Sequence, residues 1–451
     1  MATFDKKAPG VYVEEISKLP PSVASVATAI PGFVGYTEKG TKDTAIRVES
    51  LIDFEEKFGY ACKIAISEED KINGLEYKLH ESMRLFYANG GGICYVVSVG
   101  NYTDAISNTA LETGISMLEP IDEVTMIVVP DAVSLEIEDL ASVQNAALAQ
   151  CLELKDRVAI LDVKDTGNCN TDATNFRNSI GTKGASYGAA YYPYIKSVYD
   201  REINVYDIYK GLELSNNELE NAQYYAELSE PTEESTLFAK QLMSKPEYAK
   251  LVAKIQEQAN LLPPSGAIAG IYCANDNQRG VWHAPANMSV SGISDINVRI
   301  SDKQQGELNE NTSGKCINAI RAFQGKGILV WGARTLDGLS SEWKYISVRR
   351  FFNYVEESIQ ESTAWAVFQP NDANTWVKVR CQIENFLSNL WRDGALAGST
   401  PQEAFYVRVG INQTMTAQDI LNGYMIVEIG MAAVRPAEFI VLQFSHKLQE
   451  S

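Results

Sequence analysis

Between residues 76 and 195, continuous apolar runs alternate with segments whose hydrophobic positions have helical spacing. Continuous apolar runs at 93–99, 124–129, 158–163 and 185–195 predict buried strands, and helical spacing at 76–89 and 135–154 predicts helices between them. Strands that alternate with helices are typical of a mostly parallel sheet covered by helices. The pattern therefore predicts an α/β fold, mixed α+β in places, with more than one domain.

Other segments give weaker signals. Ser50 and Gly59 fit the N-cap and the C-terminal stop of a short helix. The acidic stretch 199–258 has weak helical spacing and predicts an exposed, largely helical insertion, with disorder around 229–234 as the alternative. Toward the C-terminus we predict strands at 267–272, 328–331, 404–409 and 425–433, the last two paired, and helices at 313–323, 348–368 and 372–391.

Two terminal strands have no partner close to them in the sequence. One, at 11–16, lies between Pro9-Gly10 and Pro20-Pro21, and the other lies at 439–448, after Arg435-Pro436. An isolated strand has to pair with a sheet edge, either in its own chain or in a neighbouring one. The residues that would form these strand arms are Val11, Tyr12, Val13, Glu14 and Ile16 at the N-terminus, and Phe439, Ile440, Val441, Leu442 and Phe444 at the C-terminus.

Length, composition and charge exclude several classes of protein. A chain of 451 residues with 45% hydrophobic and 22% charged residues is expected to be globular with two or more domains. Its net charge of −19 argues against a general nucleic-acid binder. The seven cysteines are scattered without a C-x-x-C pair, so neither a disulfide framework nor a zinc ribbon is expected. We expect neither a signal peptide nor a membrane span, and a chain made in the cytosol.

Motifs that could carry chemistry lack their context. The Gly-Lys-Gly at 325–327 lacks the spacing of a phosphate loop and predicts a plain turn, and the triple glycine at 90–92 follows a helix where a dinucleotide site follows a strand. None of the three histidines (His80, His283, His446) has a nucleophile or metal-ligand partner nearby in the sequence. Three carboxylates after predicted strands could bind a ligand or simply cap loops: Asp131, Asp162 and Asp165. We therefore predict no catalytic, cofactor or metal site.

The helix predicted at 372–391 has two distinct faces. Trp376, Val379, Ile383, Phe386, Leu387, Leu390 and Trp391 form an apolar stripe, which indicates a core-facing side. The opposite face carries polar and cationic residues in a strongly anionic protein: Lys378, Gln382, Asn385, Ser388, Asn389 and Arg392. That face is either a solvated surface or a docking surface for another protein.

Six short motifs together resemble the tail sheath proteins of contractile phage tails and related injection systems. Their order along the chain is that of the family. The wording of the third and fourth motifs is similar to that of bacterial phage-tail-like particles such as antifeeding prophages and virulence cassettes, and ordinary phages share it. The motifs are A-P-G-V-Y-V-E-E (8–15), I-P-G-F-V-G (30–35), P-P-S-G-A-I-A-G (263–270), G-V-W-H-A-P-A-N (280–287), W-G-A-R-T-L (331–336) and R-P-A-E-F-I (435–440).

The resemblance implies a structural protein and not an enzyme. Its domains would be an N-terminal arm (1–22), an inner sheath domain (23–104 plus 280–435), an inserted outer domain (105–279, with the acidic insertion at about 199–260) and a C-terminal arm (436–451). Such subunits stack in hexameric rings around an inner tube, exchange strands through their arms, and contract without nucleotide to drive the tube through a membrane. The polar face of the helix at 372–391 would face the tube.

The implied partners are copies of the chain itself, the inner tube protein, and baseplate and terminal cap proteins, with sheath paralogues as further candidates. Neither nucleic acid nor direct membrane insertion is expected, and no cofactor. Assembly would take place in the bacterial cytoplasm, and the product would be a phage tail or a released tail-like particle. From the residues alone, two alternatives stay open: a nucleotide-binding α/β enzyme and an acidic protein-binding module.

Overall fold

A computed structural model of the chain describes residues 23–67, 71–228, 230–310 and 312–439. Of these, residues 26–356 and 434–439 form one compact unit, called unit 2 below, and residues 23–25 and 357–433 form a smaller one, unit 1. The division falls inside a long helix, Ile346–Thr363. Among the described residues, none of the helices has the length and apolar character needed to cross a bilayer.

The described residues form sixteen strands and fifteen α-helices. The strands are β1 (Pro31–Gly35), β2 (Ala45–Val48), β3 (Ala65–Ile66), β4 (Ile72–Asn73), β5 (Cys94–Ser98), β6 (Met126–Val128), β7 (Val158–Asp162), β8 (Gly188–Tyr192), β9 (Ile195–Ser197), β10 (Leu261–Leu262), β11 (Met288–Ser289), β12 (Ile293–Ile296), β13 (Ile317–Phe323), β14 (Gly327–Trp331), β15 (Phe405–Arg408) and β16 (Glu428–Met431).

The helices are α1 (Leu51–Phe58), α2 (Leu79–Ala88), α3 (Asn108–Ser116), α4 (Ile137–Leu154), α5 (Cys169–Ser179), α6 (Val205–Ile208), α7 (Asn216–Ala226), α8 (Glu233–Met243), α9 (Pro246–Ala259), α10 (Ser265–Arg279), α11 (Asp302–Asn309), α12 (Ile346–Thr363), α13 (Ala373–Arg392), α14 (Pro401–Ala404) and α15 (Ala417–Leu421). Short 3₁₀ turns cover Pro130–Ser134, Ala185–Tyr187, Tyr209–Gly211 and Ala364–Ala366.

A nine-stranded sheet forms the centre of unit 2, in the order β11-β14-β13-β8-β7-β6-β1-β5-β2. The six strands from β13 to β5 are parallel to one another, and antiparallel strands close both ends. Neighbouring residues along a strand pack on opposite faces: Val34 and Val97 face α3, α4 and α5, whereas Phe33 and Val96 face α1, α2 and α10. Burial on both faces explains the continuous apolar runs. The predicted mixed α/β fold is confirmed.

The sheet takes strands from 23–104, 105–279 and 280–435 alike. The expected division into arms, inner domain and outer domain stays a prediction. Which part of the subunit is inner and which is outer concerns an assembly, and it stays a prediction.

Several predicted elements are confirmed closely. Helix α1 begins after Ser50, whose side chain accepts the N–H of Asp53, and ends at Gly59, where φ is 82°. Helix α13 begins after Asp372, whose side chain accepts the N–H of Thr375. The acidic insertion is helical, with α6 to α9 around small apolar clusters. Strands β15 and β16 pair as predicted.

Two predicted elements are wrong. Residues 313–323, predicted as a helix, contain strand β13, which is buried between β8 and β14, so its apolar residues do not follow the period of one helix face. Residues 267–272, predicted as a strand, lie in helix α10, which is buried on nearly all sides. A short apolar run buried all round looks the same in a central strand and in a core helix.

The small residues of α10 explain the P-P-S-G-A-I-A-G motif. A Cβ atom at Gly266 would lie 2.5 Å from the carbonyl oxygen of Ser82, and one at Gly270 would lie 2.4 Å from that of Phe86. Both oxygens belong to α2. The two glycines therefore let the backbones of α2 and α10 approach each other on one face of the sheet.

Candidate assembly site

The carboxylates that follow the central strands cap helices. Asp131 is completely buried, and its side chain accepts the backbone N–H groups of Tyr36 at 2.7 Å and Leu79 at 2.9 Å, at the start of α2. Asp162 accepts the N–H of Ser265 at 2.9 Å, at the start of α10. A negative charge at a helix N-terminus meets unpaired N–H groups and the positive end of the helix dipole. These two carboxylates therefore hold the N-termini of α2 and α10 at the carboxyl ends of the central strands β6 and β7.

Burial shifts the pKa values of these two carboxyl groups more than the hydrogen bonds to them do. Desolvation raises the pKa of Asp131 to about 6 and the pKa of Asp162 to about 7, although the N–H donors act in the opposite direction. Asp165 accepts the N–H groups of Tyr194 and Gly167 and so closes a loop. The capping interpretation of all three carboxylates is therefore confirmed.

The other candidate motifs are also accounted for by local structure. Residues 325–327 connect β13 to β14, and both Gly325 and Gly327 have positive φ, so the predicted turn is confirmed, although it follows a strand and not a helix. His80 is buried, with Nε2 3.4 Å from Glu55 Oε1. His283 is exposed, and His446 lies outside the described residues.

The first three residues of the W-G-A-R-T-L motif, Trp331, Gly332 and Ala333, line part of a cleft in unit 2. The buried Asn318 side chain accepts the N–H of Arg334 at 2.7 Å and donates to the Arg334 carbonyl at 2.8 Å. Gly332 leaves room for this contact, since a Cβ atom there would lie 2.7 Å from Asn318 Oδ1. Thr335 donates its hydroxyl to the carbonyl of Trp343. The motif therefore fixes the backbone on both sides of Arg334.

The Arg334 side chain binds the C-terminal R-P-A-E-F-I motif. Its Nε donates to Glu438 Oε1 at 2.8 Å and its Nη2 to Oε2 at 2.7 Å, which is the bidentate geometry favoured by arginine and carboxylate. The third nitrogen, Nη1, donates to the Asn309 carbonyl at 2.8 Å, and the hydroxyl of Tyr345 donates to Glu438 Oε2 at 3.1 Å.

Arg334 is 1% exposed. Burial alone would lower the pKa of Arg334, but its hydrogen bond and charge interaction with Glu438 raise the pKa above its usual value. The pair joins positions that lie 104 residues apart.

Most of the predicted strand arms lie outside the described residues. This holds for Val11, Tyr12, Val13, Glu14 and Ile16, and for Ile440, Val441, Leu442 and Phe444. Phe439, the first residue of the predicted C-terminal strand, is exposed and lies in neither a helix nor a strand. Pairing of the arms therefore stays a prediction.

Unit 1 contains the helix with the predicted polar face. On α13, Lys378, Asn385, Asn389 and Arg392 are exposed and Ser388 is half-buried. Gln382 does not belong to an open surface, since it is 2% exposed. It accepts the indole N–H of Trp365 and donates to the Ser362 carbonyl. Gln382 is therefore an internal contact of unit 1, and the polar face of α13 consists of the other five residues.

Unit 1 also contains a sheet with an open edge. Within the described residues, β15 and β16 pair only with each other, apart from the single bridge between Leu396 and Ala433 just beyond β16. Ala432 donates its N–H to Ala404, so by the alternation of an antiparallel ladder Ile429 directs its own N–H away from β15. Two-stranded sheets are marginally stable alone.

Unit 1 also exposes large apolar side chains and has an apolar groove next to β16. Eight of the seventeen large hydrophobic side chains that the described residues expose belong to unit 1: Val367, Phe368, Val377, Tyr406, Ile411, Leu421, Tyr424 and Ile426. An apolar groove beside them lies between α12, α13 and the chain that enters β16, and Val379, Ile383, Val427 and Ile429 are among its lining residues. Exposed apolar patches of this kind mark interaction sites.

Comparison with known proteins places this fold among the structural proteins of contractile sheaths. Residues 104–336 match the family model described as the phage tail sheath protein central domain, and residues 340–447 match the phage tail sheath C-terminal domain. The chain belongs to the phage tail sheath family.

Two solved structures are similar over almost the whole chain. The sheath complex of PVC, an extracellular contractile injection system, in the contracted state is 32% identical, with a TM-score of 0.69 and 99% of both chains covered. The helical sheath of the anti-feeding prophage in the contracted state is 30% identical, with a TM-score of 0.68, covering 98% of this chain and 99% of that one.

Curated relatives match over shorter spans. The tail sheath protein of Vibrio phage KVP40 is 23% identical over 42% of this chain, and the matching region is 27% of that protein. A putative prophage major tail sheath protein of Pseudomonas aeruginosa strain UCBPP-PA14 is 24% identical over 40% of this chain and 45% of its own length. The chain therefore matches less than half of the length of these relatives.

Sequence reasoning identified the two motifs that contain Arg334 and Glu438 but missed the contact between them. Each residue is one charge in a short motif, and nothing local in the sequence connects positions 104 residues apart. The one signal was that each motif places a charged residue among apolar or small ones, which suggests a buried ion pair.

Proposed function

We propose that this chain is the sheath subunit of a contractile tail-like injection machine. It polymerises into stacked hexameric rings around an inner tube and contracts to drive that tube through a target membrane. The observation that carries the proposal is the open β15–β16 sheet of unit 1, in a chain whose solved relatives are sheath and baseplate complexes.

The open edge of β16 would accept a strand from another copy. Strand addition supplies main-chain hydrogen bonds for the unpaired groups, and alternate side chains of the incoming strand provide specificity. The segments 11–16 and 439–448 have a compatible pattern, since both contain β-branched and aromatic residues and neither contains Gly or Pro. Rings whose subunits share the backbone hydrogen bonds of one sheet would stay connected while the subunits rotate.

The polar face of α13 is the proposed contact with the inner tube. Lys378 and Arg392 are exposed cations in a chain with a net charge of −19. Asn385, Ser388 and Asn389 lie between them on the same face. Polar, weakly held contacts suit a surface that must release the tube during contraction, since rim charges affect association rates more than affinity.

Contraction would depend on the energy of the subunit interfaces, without nucleotide or cofactor. A few kcal/mol of difference per subunit, about the free energy needed to move a two-state equilibrium from one state to the other, would multiply over the copies in a sheath. The acidic helices α6–α9 would lie on the outside. Baseplate and cap proteins would bind the ends of the sheath, and assembly would take place in the bacterial cytoplasm.

A nucleotide-binding enzyme is not favoured by the geometry. The carboxylates at the strand ends, which suggested a ligand site, are occupied as helix caps. The absence of enzymatic activity stays a prediction, and the acidic protein-binding module has no specific observation in its favour.

Electron microscopy of assembled material tests the proposed function. Co-expression of the chain with a matching tube protein should give striated rods in negative stain. Deletion of Met1–Pro20 should abolish ordered rods and leave a folded monomer, as checked by its melting curve. A monodisperse monomer at high concentration without rods, in the presence of the tube protein, would refute the assignment as a sheath subunit.

A further inference from the structure

We propose that Arg334 is a positioning residue for the C-terminal arm: by holding Glu438, it fixes the point at which the arm leaves unit 2. The inference rests on the proposed function, in which residues beyond 439 pair with a neighbouring copy. It adds to that function a specific ion pair between two distant motifs.

The Arg334 guanidinium is held so that it presents one fixed binding geometry. The Asn318 side chain holds the Arg334 backbone through two hydrogen bonds. Because Nη1 donates to the Asn309 carbonyl, Nε and Nη2 are the nitrogens that bind Glu438. The planar fork of arginine matches a carboxylate along one approach direction. An arm segment that binds there is set in both position and orientation.

The residues around Glu438 depend on this contact. Residues 434–439 lie outside the helices and strands, and Pro436 and Phe439 line the cleft formed by Gly332, Ala333 and Tyr345. Pro436 stiffens the approach, because its ring fixes φ. The Glu438 carboxylate, two residues after the proline, is bound by Arg334 and Tyr345 and so ties this irregular segment to the chain that follows β14.

Loss of the Glu438 carboxylate is expected to destabilise the contact strongly, although Glu438 itself is partly exposed, because its partner Arg334 is buried. The Arg334 side chain is 2% exposed, so removal of its carboxylate leaves a buried charge without its counter-ion. The C-terminal segment would then leave the cleft. A pull on the arm from a neighbouring subunit would no longer be transmitted to the sheet of unit 2.

The test compares four variants of the full chain, each co-expressed with the tube protein. Glu438→Gln removes the charge and keeps the shape, Arg334→Lys keeps the charge and loses the fork, and a third variant lacks residues 440–451. The control, Arg299→Ala, removes an arginine that pairs with Asp295 at 3.1 Å on the exposed surface. Rod yield is counted in negative stain, and limited proteolysis of the free subunit measures cleavage near residue 439.

The expected result is a loss of rods of at least ten-fold in Glu438→Gln and in the variant without 440–451, with Arg334→Lys reduced and Arg299→Ala unchanged. Cleavage near residue 439 should be several-fold faster in Glu438→Gln than in the wild type. If Glu438→Gln does not fold, Arg334→Lys with its melting curve carries the test.

The two possible failures are distinguishable. Normal rods without residues 440–451 would overturn the proposed role of the C-terminal arm. Loss of rods on that deletion, together with normal rods and normal cleavage in both Glu438→Gln and Arg334→Lys, would overturn the positioning role of Arg334 and leave the proposed function in place.

Discussion

Units 2 and 1 differ in how far they pair their backbone groups and bury their apolar side chains within the unit. Unit 2 encloses a nine-stranded sheet between helices on both faces, and buried charges such as Arg350 and Asp276 pair within the unit at 2.6 Å. Among the described residues, unit 1, although smaller, supplies nearly half of the exposed large hydrophobic side chains and contains a sheet of two strands. Under the proposed function, unit 2 would be stable alone, whereas unit 1 would be completed by other copies of the chain or by the tube.

This comparison separates two kinds of mutation. Substitutions in unit 2 should change the stability of the free subunit, and surface substitutions in unit 1 should change assembly with little effect on that stability.

The buried ion pair of unit 2 gives the largest expected effect. Asp276→Ala leaves the Arg350 guanidinium, with a side chain 3% exposed, without its counter-ion, and should cost about 3–5 kcal/mol of unfolding free energy. The matched Asp295→Ala breaks an exposed pair with Arg299 and should cost about 0–1 kcal/mol. Urea denaturation of both variants measures the contrast, and equal losses would contradict it.

The packing of α2 on α10 gives the next effect. Gly270→Ala inserts a methyl group 2.4 Å from the Phe86 carbonyl oxygen and should destabilise the subunit by about 1–3 kcal/mol. Gly306→Ala in α11 meets nothing within 4 Å and should stabilise it by about 0.5–1 kcal/mol. Thermal melts of the two variants should therefore shift in opposite directions, and a shift of the same sign would refute the close-packing argument.

Asp162 should make the stability of unit 2 depend on pH. The pKa of its carboxyl group is about 7 in the folded protein and about 4 when unfolded, so the folded state retains the proton between these values. Its contribution is fully present below pH 4 and is lost as the pH rises through 7. Unfolding free energies from pH 4 to 8 should fall less steeply in Asp162→Asn than in the wild type. A wild-type slope retained in the variant would contradict the assignment.

Substitution of exposed apolar residues should have the smallest effect on the unfolding free energy. Its effect on rod formation should differ most clearly between the two units. Phe368 in unit 1 is fully exposed with a φ of 64°, and Ile52 on α1 of unit 2 is also highly exposed. Phe368→Ser and Ile52→Ser should each change the unfolding free energy by less than about 0.5 kcal/mol. Only Phe368→Ser should reduce rod formation. Equal rod yields would remove Phe368 from the assembly surface.

The local parts of the fold could be predicted from the sequence because their causes are local. Ser50, Gly59 and Asp372 act within a few residues of the helix ends that they define. Helix α10 was predicted as a strand and strand β13 as part of a helix. Both are buried on nearly all sides, so only their neighbours in space decide between helix and strand.

The site was harder to predict because its contacts are distant. The face of α13 was predicted from helical spacing, but Trp365 lies outside that helix and buries Gln382, which spacing alone cannot show. Arg334 and Glu438 were each placed in a motif, and the pair exists only because the fold brings positions 104 residues apart into one cleft. Long-range pairs of this kind require the tertiary structure.

The most direct test of the central claim is a cryo-EM reconstruction of the rods that resolves β15 and β16 of one subunit. We expect a further strand, supplied by a terminal arm of a neighbouring subunit and hydrogen-bonded along the edge that carries the Ile429 N–H. A reconstruction in which that edge faces solvent, with both arms bound to their own subunit, would contradict it.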